Sequence, residues 1–387
     1  MTRYAGLMSG TSMDGVDAVL LEMAASGCRI SAATHRDYPA DLVARLRAAI
    51  TRPEQVGLDE LGQLDVQVGE VFAAALLQLL DEAGVHADTV RAVGSHGQTI
   101  RHQPHGDTPF TLQIGDPNVI AERCGIDVVA DFRRRDIAAG GEAAPLVPAF
   151  HAAVFGAPGE TRVVVNIGGI ANLTVLTADG GVTGFDTGPG NCLMDVWVQA
   201  QRGEAFDRDG ALAATGRVNA ALLERLLAEP YLQRTGPKST GRELFQAAWL
   251  EAMLAGATLE AADVQATLCE YTARTIRDAI VTLAGVQPAR VLVCGGGTLN
   301  PQLMGRLGAQ LAGVRVDSTA ACGIDPMQVE AAAFAWLAHC RIEDLPGNLP
   351  AVTGARGARV LGAIFPGAVT QLSSGVRMMR EIVRKTP

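Results

Sequence analysis

The pattern of apolar and polar positions predicts a β-hairpin at the start of the chain. The apolar run Tyr4–Met8 leads into a turn at Ser9–Gly15, and the alternating segment Val16–Glu22 follows it. Alternation with a period of two residues is typical of a strand with one buried face, and glycine is common in the turns that join such strands. We therefore expect two antiparallel strands joined by a glycine-rich tip.

A related pattern returns near the middle of the chain. The run Val163–Ile167 leads into two glycines, and Ala171–Leu176 continues to a turn at Ala178–Gly181 and a further strand that ends near Phe185. Two copies of strand, glycine turn and strand, about half a chain apart, are typical of a duplicated domain. The pattern therefore predicts an α/β fold that is built from two similar halves.

Helical periodicity fills the segments between these hairpins. In Leu61–Glu82 the apolar residues fall on one stripe, and Gly84 marks the end of the helix. An Asp-Pro pair at residues 116–117 predicts the start of a second helix, because aspartate is a good N-cap and proline fits the first turn. The same pair at residues 325–326 predicts another start. Residues 191–283 are mostly helical in pattern.

Length and composition support two ordinary domains. With 387 residues and 48% hydrophobic content, the chain can bury two cores, whereas one very large core is less common. We expect a first lobe over residues 1–150 and a second lobe over residues 151–387, with a cleft between them. The extreme C-terminus is a segment that can pack back on the first lobe.

Charge and cysteine content narrow the functional classes. The formal charge of −9 is spread along the chain without a long basic run, so we expect no nucleic-acid partner. The seven cysteines include no Cys-x-x-Cys pair, which is typical of a reduced, cytoplasmic protein without sulfur-bound metal. We see no signal-peptide core and no apolar run of about 20 residues, and therefore expect no membrane association.

The first glycine turn has the composition of a phosphate-binding loop. Residues 10–15 read Gly-Thr-Ser-Met-Asp-Gly and lie between two strands, so they are not a Walker P-loop, which precedes a helix and carries a lysine. The N–H groups and hydroxyls of such a tip can bind phosphate oxygens, and its aspartate can hold a hydrated Mg²⁺. An ordinary tight turn capped by Asp or Ser would use the same residues.

Two later segments are also candidates. In Gly184–Asn191, Asp186 stands at the end of a strand and precedes the apolar helix Cys192–Gln201, where a carboxylate can reach a ligand and the helix N-terminus can bind an anion. A helix-capping turn is the alternative. In Val291–Asn300, a buried strand runs into three glycines, which let a flat ligand such as a nucleoside approach closely, or make only a βα turn.

These segments in combination resemble a known family. Their order is similar to the phosphate-binding, second-phosphate and adenosine segments of the actin, Hsp70 and hexokinase superfamily, which has a two-lobed, ribonuclease H-like fold. On the following segments the chain is identified as a member of the anhydro-N-acetylmuramic acid kinase family: GLMSGTSMDGVD (6–17), GSHGQTIRH (94–102), QIGDP (113–117), ADFRRRDIAAGG (130–141), APLVPAFH (144–151), NIGGIANLT (166–174), FDTGPGN (185–191) and CGGGTLN (294–300). One departure is Glu142-Ala143, where a glutamine and a glycine are expected.

The resemblance implies a specific reaction and two catalytic acids. Members of this family open the 1,6-anhydro bridge of the sugar with water and phosphorylate O6, giving N-acetylmuramic acid 6-phosphate and ADP, in peptidoglycan recycling and amino-sugar catabolism. Water that attacks the anomeric carbon needs a carboxylate base, whereas the phosphoryl group can accept the departing O6. The resemblance implies Asp186 as the base and Glu330 as an acid that contacts the sugar or the water. Favourable placement near a helix N-terminus is the alternative for Glu330.

The resemblance also implies which residues bind ATP and Mg²⁺. The tip of the first hairpin and the second glycine pair are expected at the phosphates, and the late glycines at the adenosine. Asp14 is expected to hold the magnesium ion. The expected ATP-binding residues are Gly10, Thr11, Ser12, Met13, Asp14, Gly15, Val16, Asp17, Gly168, Gly169, Gly188, Gly190, Gly295, Gly296 and Gly297.

The sugar carries an acetamide and a lactyl carboxylate, so its pocket should contain polar groups and a cation. The candidate sugar-binding residues are His96, Gln98, Thr99, Arg133 and Arg135. The first three are predicted in a polar loop after the strand Val90–Gly94. For at least one arginine of the run 133–135, pairing with Asp131 or Asp136 in a solvated turn is the expected role.

Two other functions remain open on the pattern of residues alone. An ordinary sugar kinase would use Asp186 to deprotonate an existing hydroxyl, and residue spacing does not separate it from the hydrolytic reaction. A nucleotide switch of the Hsp70 kind would couple ATP turnover to a partner domain, but we expect no substrate-binding β-domain beyond the second lobe. The resemblance implies a homodimer that acts on a small-molecule sugar.

Overall fold

The structure is a computed structural model that describes residues 1–10, 13–24, 27–235, 238, 240–241 and 244–367. These residues form two compact units. The first unit contains residues 1–143, 331–348 and the described residues from 355 onwards, and the second contains residues 144–330 and 349–354. The first segment of this unit therefore ends seven residues before the predicted boundary at residue 150. Two further segments near the C-terminus also belong to the first unit.

Strands and helices are both abundant in the described part of the chain, which confirms the α/β class. The strands are β1 (Thr2–Met8), β2 (Gly15–Ala24), β3 (Gly27–Asp37), β4 (Val90–Ser95), β5 (Gln98–Gln103), β6 (Phe110–Ile114), β7 (Val128–Ala130), β8 (Arg162–Ile167), β9 (Ile170–Leu176), β10 (Val182–Pro189), β11 (Arg290–Cys294), β12 (Arg315–Ser318) and β13 (Ala363–Phe365). The helices are α1 (Ala40–Thr51), α2 (Leu58–Ala83), α3 (Pro117–Cys124), α4 (Arg134–Ala138), α5 (Val147–Phe155), α6 (Cys192–Arg202), α7 (Ala211–Thr215), α8 (Ala220–Leu227), α9 (Ala247–Leu254), α10 (Ala261–Asp278), α11 (Pro301–Gln310), α12 (Val329–Ile342) and α13 (Pro350–Thr353). Short 3₁₀ turns lie at Pro53–Gln55, Ala87–Thr89, Arg208–Gly210, Pro230–Gln233, Gly296–Leu299 and Thr319–Cys322, and a π-helical turn lies at Ala279–Leu283.

The predicted hairpin at the start of the chain is confirmed. Strands β1 and β2 pair antiparallel, with Thr2 opposite Met23 at one end and Met8 opposite Asp17 at the other. Strand β3 pairs antiparallel with β2, and β4 and β7 add parallel strands on the other side of β1. In the described residues the sheet order is β13-β7-β4-β1-β2-β3. The glycine-rich tip therefore lies at the carboxyl end of β1, the first strand of the chain.

The sheet of the second unit repeats this topology. Strands β8, β9 and β10 form an antiparallel meander, and β11 and β12 continue the sheet in parallel on the other side of β8. The order in the described residues is β10-β9-β8-β11-β12. In both units the first strand continues into an antiparallel meander on one side and has two parallel strands on the other, and β13 adds an antiparallel strand at the edge of the first sheet. The predicted duplication is therefore confirmed by the topology of the sheets.

The long amphipathic helix of the first unit is confirmed as α2. Leu64, Phe72 and Leu76 lie in its buried stripe, and Gly84 ends it in the left-handed conformation with φ 61°. By length and composition α2 could cross a membrane, which the expectation from sequence overlooked, but half of its most apolar window is buried within the protein. Burial of this kind is typical of the core helix of a globular unit.

The two predicted Asp-Pro helix starts have different outcomes. The Asp116 carboxylate accepts a hydrogen bond of 2.9 Å from the backbone N–H of Asn118, and α3 follows as predicted. The Asp325 carboxylate likewise accepts from the N–H of Met327 at 2.8 Å. Here, however, the next residues form a turn and α12 begins only at Val329. The second prediction is wrong because the same cap closes a turn without starting a helix.

Helix α12 packs tightly on the first sheet. A Cβ on Gly6 would overlap the carbonyl oxygen of Ala331, and a Cβ on Gly94 would overlap that of Phe334. Glycine is required at both strand positions because the helix backbone lies directly on the sheet. This close contact explains why the chain from residue 331 belongs to the first unit.

Candidate active site

In the first unit, the tip of the first hairpin has a fixed backbone. Thr11 and Ser12 lie outside the described residues. The carbonyl oxygen of Asp14 accepts a hydrogen bond of 3.1 Å from the N–H of Tyr38, and its exposed carboxylate accepts one of 3.1 Å from the N–H of Gly15. Gly15 has no space for a side chain, because a Cβ would overlap the carbonyl oxygen of Arg36. The Asp14 carboxylate therefore lies at the surface of the tip, and the backbone that carries it is held by hydrogen bonds and close packing.

Gln98 supports this tip from strand β5. Its side chain is 1% exposed. Its Oε1 accepts a hydrogen bond of 2.7 Å from the Ser9 hydroxyl, and its Nε2 donates one of 3.2 Å to the carbonyl of Gly10. The prediction of a polar loop is wrong for Gln98 and Thr99, since both lie in the strand. Both polar ends of the Gln98 amide bind the hairpin tip, which identifies the residue as a support of the tip.

His96 and Arg133 form a hydrogen-bonded pair. The guanidinium of Arg133 donates from Nε at 3.1 Å and from Nη2 at 3.0 Å to Nε2 of His96. The pKa of His96 lies well below its ordinary value because the ring is buried and because Arg133 is positively charged. The imidazole is therefore neutral near pH 7, with its proton on Nδ1 because Nε2 accepts. The structure thus brings together two of the five predicted sugar-binding residues.

The other two arginines of the run lie at the surface. Arg134 forms an exposed ion pair of 2.9 Å with Asp131, which confirms that one of the three pairs in a solvated turn. Arg135 is exposed on α4 and lines a shallow charged cavity of about 570 Å³ with Arg341 and Asp344. His96 lies instead on the wall of a separate cavity of about 480 Å³. The structure therefore places Arg135 and His96 along different cavities of the first unit.

In the second unit, the glycine segments come together at the ends of the strands. The N–H of Gly190 donates to the carbonyl of Gly169 at 2.9 Å, and the N–H of Asn191 donates to that of Gly168 at 2.8 Å. Residues 295–297 follow β11 beside β8, and a Cβ on Gly297 would overlap the side chain of Ile167. Three segments that are far apart in the sequence therefore form one glycine-lined surface.

At two of these glycines a side chain would meet only ordinary van der Waals contacts. Around Gly168 the nearest atom to a Cβ would be 3.5 Å away, and around Gly296 it would be 3.7 Å away. The N-terminus of α6, which has eleven residues, begins directly after Asn191. Glycine backbone that is not crowded, beside a helix N-terminus, is an arrangement that can bind phosphate groups. The residues present here therefore fit the phosphates of a nucleotide.

Asp186 lies within β10, three residues before the end of the strand, whereas the sequence predicts it at the strand end. The strand continues to Pro189, with an irregular register after Asp186. Three hydrogen bonds hold the residue: its N–H donates to the carbonyl of Lys238 at 3.0 Å, its carbonyl accepts from the Tyr231 hydroxyl at 2.9 Å, and its Oδ2 accepts from the N–H of Thr240 at 3.0 Å. Burial raises the pKa of Asp186 to about 6, although the Thr240 N–H and the charge of Lys238 act in the opposite direction.

A row of polar residues crosses the second sheet at the level of Asp186. Asp186 is opposite Asn172, Asn172 is opposite Asn166, and Asn166 is opposite Cys294. Neighbours in such a row lie on the same face of a sheet. Burial, followed by the negative charge of Glu330, raises the pKa of the Cys294 thiol. Glu330 therefore lies near the Cys294 end of the row that begins at Asp186.

Several residues of this site have no role predicted from the sequence. Asn166 and Asn172 stand inside apolar strands, where an amide needs a polar partner, and this misfit is a signal that could have identified them. Tyr231, Lys238 and Thr240 lie within residues 191–283, for which the sequence indicates only a mostly helical pattern. Their contacts with Asp186 span 45 to 54 residues of sequence, so local pattern could not reveal them.

Comparison with known proteins defines the class of the chain. The family model described as anhydro-N-acetylmuramic acid kinase matches residues 2–367. The chain is 54% identical over 368 residues to the anhydro-N-acetylmuramic acid kinase of Xanthomonas campestris pv. campestris (strain 8004), covering 94% of this chain and 97% of that protein. It is 50% identical over 363 residues to the protein of the same name from Vibrio parahaemolyticus serotype O3:K6, covering 94% and 98%.

Similarity to solved structures is weaker. An activator of 2-hydroxyisocaproyl-CoA dehydratase from Clostridium difficile with bound ADPNP has a TM-score of 0.46 at 14% identity, covering 89% of this chain and 96% of that chain. A ROK family glucokinase from Streptomyces griseus in complex with glucose and AMPPNP has a TM-score of 0.40 at 13% identity, covering 87% and 98%. Similarity at this level is too low to support an argument about fold or function.

The matches over nearly the whole chain define an enzyme, a kinase that transfers a phosphoryl group. More specifically, the chain belongs to the anhydro-N-acetylmuramic acid kinase family.

Proposed function

We propose that this enzyme converts 1,6-anhydro-N-acetylmuramic acid, water and ATP into N-acetylmuramic acid 6-phosphate and ADP, with Mg²⁺, in the cytoplasm. In this reaction water adds to the anomeric carbon, the bond from that carbon to O6 breaks, and O6 gains the phosphoryl group. The sugar would come from the turnover of peptidoglycan. Family membership over 94% of the chain supports the choice of substrate, and on the same resemblance we expect a homodimer.

The observation that carries the proposal is the environment of Asp186. With a pKa raised to about 6, its carboxyl is ionised at neutral pH and is a stronger base than an ordinary aspartate. A base with a pKa near the working pH is suited to remove a proton from water as the water attacks. Because Oδ2 accepts the hydrogen bond from Thr240, we assign acceptance of the proton to Oδ1.

The second unit is proposed to bind the nucleotide. Gly168, Gly169 and the turn Gly188–Gly190 would bind its phosphates through backbone N–H groups and the N-terminus of α6, and residues 295–297 would border the adenosine. When bound, ATP supplies the γ-phosphoryl group to O6 and Mg²⁺ neutralises phosphate charge. We propose that Glu330, near Cys294, orients the sugar or the attacking water.

The first unit is proposed to bind the magnesium ion and polar groups of the sugar. Asp14 is exposed on the hairpin tip, as a ligand of a hydrated cation should be. Among the described residues no three His, Cys, Asp or Glu side chains form a metal cluster, so phosphates and water would complete the coordination. The Arg133–His96 pair offers a guanidinium for the lactyl carboxylate, and Arg135 is the alternative cation.

The variant Asp186→Asn tests this assignment. Because the amide cannot take a proton from water, turnover of the sugar should fall by about 10²- to 10⁴-fold, while the dissociation constant for Mg-ATP should remain close to that of the wild type. Both can be measured by a coupled ADP assay and by calorimetry. Asp179→Asn is the matched control, since Asp179 is an exposed carboxylate in the turn before β10. Near-normal turnover of Asp186→Asn would contradict the assignment.

A further inference from the structure

Asp186 is held by a short segment that has no assigned role. The described residues of this segment, here called the 231–240 segment, are 231–235, 238 and 240. Tyr231 binds the carbonyl of Asp186, Lys238 binds its N–H through a carbonyl, and Thr240 binds its carboxylate. One segment therefore fixes the backbone on both sides of Asp186 and one oxygen of the side chain.

The ammonium group of Lys238 holds the segment together. Its Nζ donates hydrogen bonds of 3.3 Å to the carbonyls of Tyr231 and Leu232. The same nitrogen lies 4.7 Å from the ring centroid of Tyr231 and 5.6 Å from that of Phe185. A cation over an aromatic face is attracted to the ring, more strongly when it is shielded from water. Lys238 thus joins the two ends of the segment and also contacts the residue that precedes Asp186.

Lysine is rare in this chain. Of its 32 basic residues only Lys238 and Lys385 are lysines, and Lys385 lies outside the described residues. An ammonium is a compact charge with three donors that can turn toward carbonyls and rings together, whereas a guanidinium is a planar fork that suits carboxylates. Lys238 contacts two carbonyls and two rings, and a compact ammonium suits this set of contacts better than a planar guanidinium does.

We propose that Tyr231 and Lys238 are positioning residues for the base: Tyr231 fixes the backbone of Asp186, and Lys238 fixes the segment that binds it and places a positive charge beside its carboxylate. The proposal rests on the proposed function, in which Asp186 takes the proton from water. Neither residue needs to touch the sugar. Both act through the orientation and the charge state of Asp186.

The charges around this pair are consistent with direct coupling. Burial, and then the charge of Arg234, lower the pKa of Lys238, while the charge of Asp186 raises it. Burial, and then the charge of Asp186, raise the pKa of Tyr231. In the described part of the chain, Tyr231 and Arg234 are thus the other titratable or charged groups that act on Asp186 or Lys238. Coupling between two sites is reciprocal, so each partner must change the pKa of the other equally.

The first test does not depend on activity. Protein labelled with ¹³C at the lysine Cε gives two lysine signals, and replacement of Lys385 by arginine identifies that of Lys238. In Asp186→Asn we expect the pKa of Lys238 to fall, because a negative charge that favours the ammonium is lost. In Lys238→Met the Asp186 carboxyl, followed by ¹³C NMR, should titrate at a pKa higher by the same amount. An unchanged Lys238 titration in Asp186→Asn would overturn the proposal.

The second test uses kinetics. In Lys238→Met the acid limb of kcat/KM for the sugar should move to higher pH by as much as the pKa of Asp186 rises. Lys238→Arg keeps the positive charge, so the acid limb should return to its wild-type position, but kcat should recover only in part. Tyr231→Phe removes one hydroxyl from a buried ring and should lower kcat about tenfold, with KM for ATP unchanged. Arg225→Met, which removes an exposed cation from α8, is the control and should leave the limb in place.

The outcomes separate the two proposals. Full turnover in Asp186→Asn would contradict the proposed function, while the lysine titration would still decide whether Lys238 and Asp186 are coupled. Loss of turnover in Asp186→Asn, together with an unmoved acid limb in Lys238→Met and a normal kcat in Tyr231→Phe, would overturn the positioning roles alone. If Lys238→Met does not fold, the Lys238 titration in Asp186→Asn tests the role of Lys238, and the kcat of Tyr231→Phe tests the role of Tyr231.

Discussion

Asp186 shows how burial changes the chemistry of one carboxyl group. Its pKa of about 6 places the change from acid to base just below neutral pH. We predict that kcat/KM for the sugar is level above pH 7 and falls about tenfold per pH unit below about 6, because only the carboxylate accepts a proton. A pH–rate profile with sugar well below saturation measures this limb. A profile that stays level to pH 5 would contradict it.

The same pKa shift predicts how stability depends on pH. Folding raises the pKa of Asp186 from an unfolded value of about 4, so the protonated form is favoured in the folded protein. This contribution to stability is fully present below about pH 4 and is lost as pH rises through about 6. Asp186→Asn should therefore be more stable than the wild type at pH 8, by about 2–3 kcal/mol, and the gain should shrink at pH 4. Urea unfolding at both values measures it.

Two single residues show which structural features could and could not be predicted from the sequence. Ala143 has φ 55°, a left-handed conformation that glycine adopts without strain, and the resemblance led us to expect a glycine there. Alanine in place of the expected glycine therefore puts a side chain on a left-handed backbone at residue 143. The burial of Gln98 against Ser9 and Gly10 could not be predicted, because its partners are 88 and 89 residues away.

At the scale of elements, the glycine turn around residue 190 leaves no room for a side chain. A Cβ on Gly190 would overlap the carbonyl oxygen of Gly168. We predict that Gly190→Ala lowers the free energy of unfolding by about 1–3 kcal/mol and weakens ATP binding, since the two glycine segments must separate. Denaturant unfolding and calorimetry with Mg-ATP measure both effects.

Gly305 provides the matched control for this prediction. It lies exposed inside α11, and no atom lies within 4 Å of its Cβ position. Gly305→Ala should therefore leave ATP binding unchanged and raise stability by about 1 kcal/mol, because alanine is the better helix former. Equal effects of the two substitutions would show that the turn is not under the steric constraint described here.

Elements with strong local signals were predictable from the sequence, and elements defined by tertiary pairing were not. The stripe of α2 and the Asp116 cap of α3 are local features, and both were confirmed. The segment 185–189 contains a glycine and a proline, which favour a turn, yet it forms strand because β9 pairs with it. The Asp325 cap is present, but local pattern could not show that a turn would separate it from α12.

At the scale of the whole molecule, the path of the chain was the least predictable feature. The chain crosses between the two units after residues 143, 330, 348 and 354. Helix α12 begins at the last residues of the second unit and continues on the sheet of the first. Periodicity indicates that a helix is amphipathic, but it does not indicate which of two similar sheets the helix covers.

This path predicts that residues 1–143 do not fold alone. The fragment lacks α12, which covers Gly6 and Gly94, and β13, which pairs with β7. We expect it to show no cooperative thermal unfolding by circular dichroism. A fusion of residues 1–143 to residues 331–367 through a flexible linker is the control and should unfold cooperatively. Cooperative unfolding of the short fragment at the same temperature as the fusion would contradict the assignment of α12 to this unit.

The most direct test of the proposed function is an oxygen-labelling experiment. The enzyme is incubated with Mg-ATP and 1,6-anhydro-N-acetylmuramic acid in ¹⁸O-water, with Asp186→Asn in parallel, and the product is quenched early and analysed by mass spectrometry and NMR. We predict sugar-dependent ADP and a 6-phosphate with one heavy oxygen at C1 and none in the phosphate. A phosphorylated sugar without heavy oxygen at C1 would show an ordinary sugar kinase, and ADP release independent of the sugar would show a nucleotide switch; either result contradicts the account.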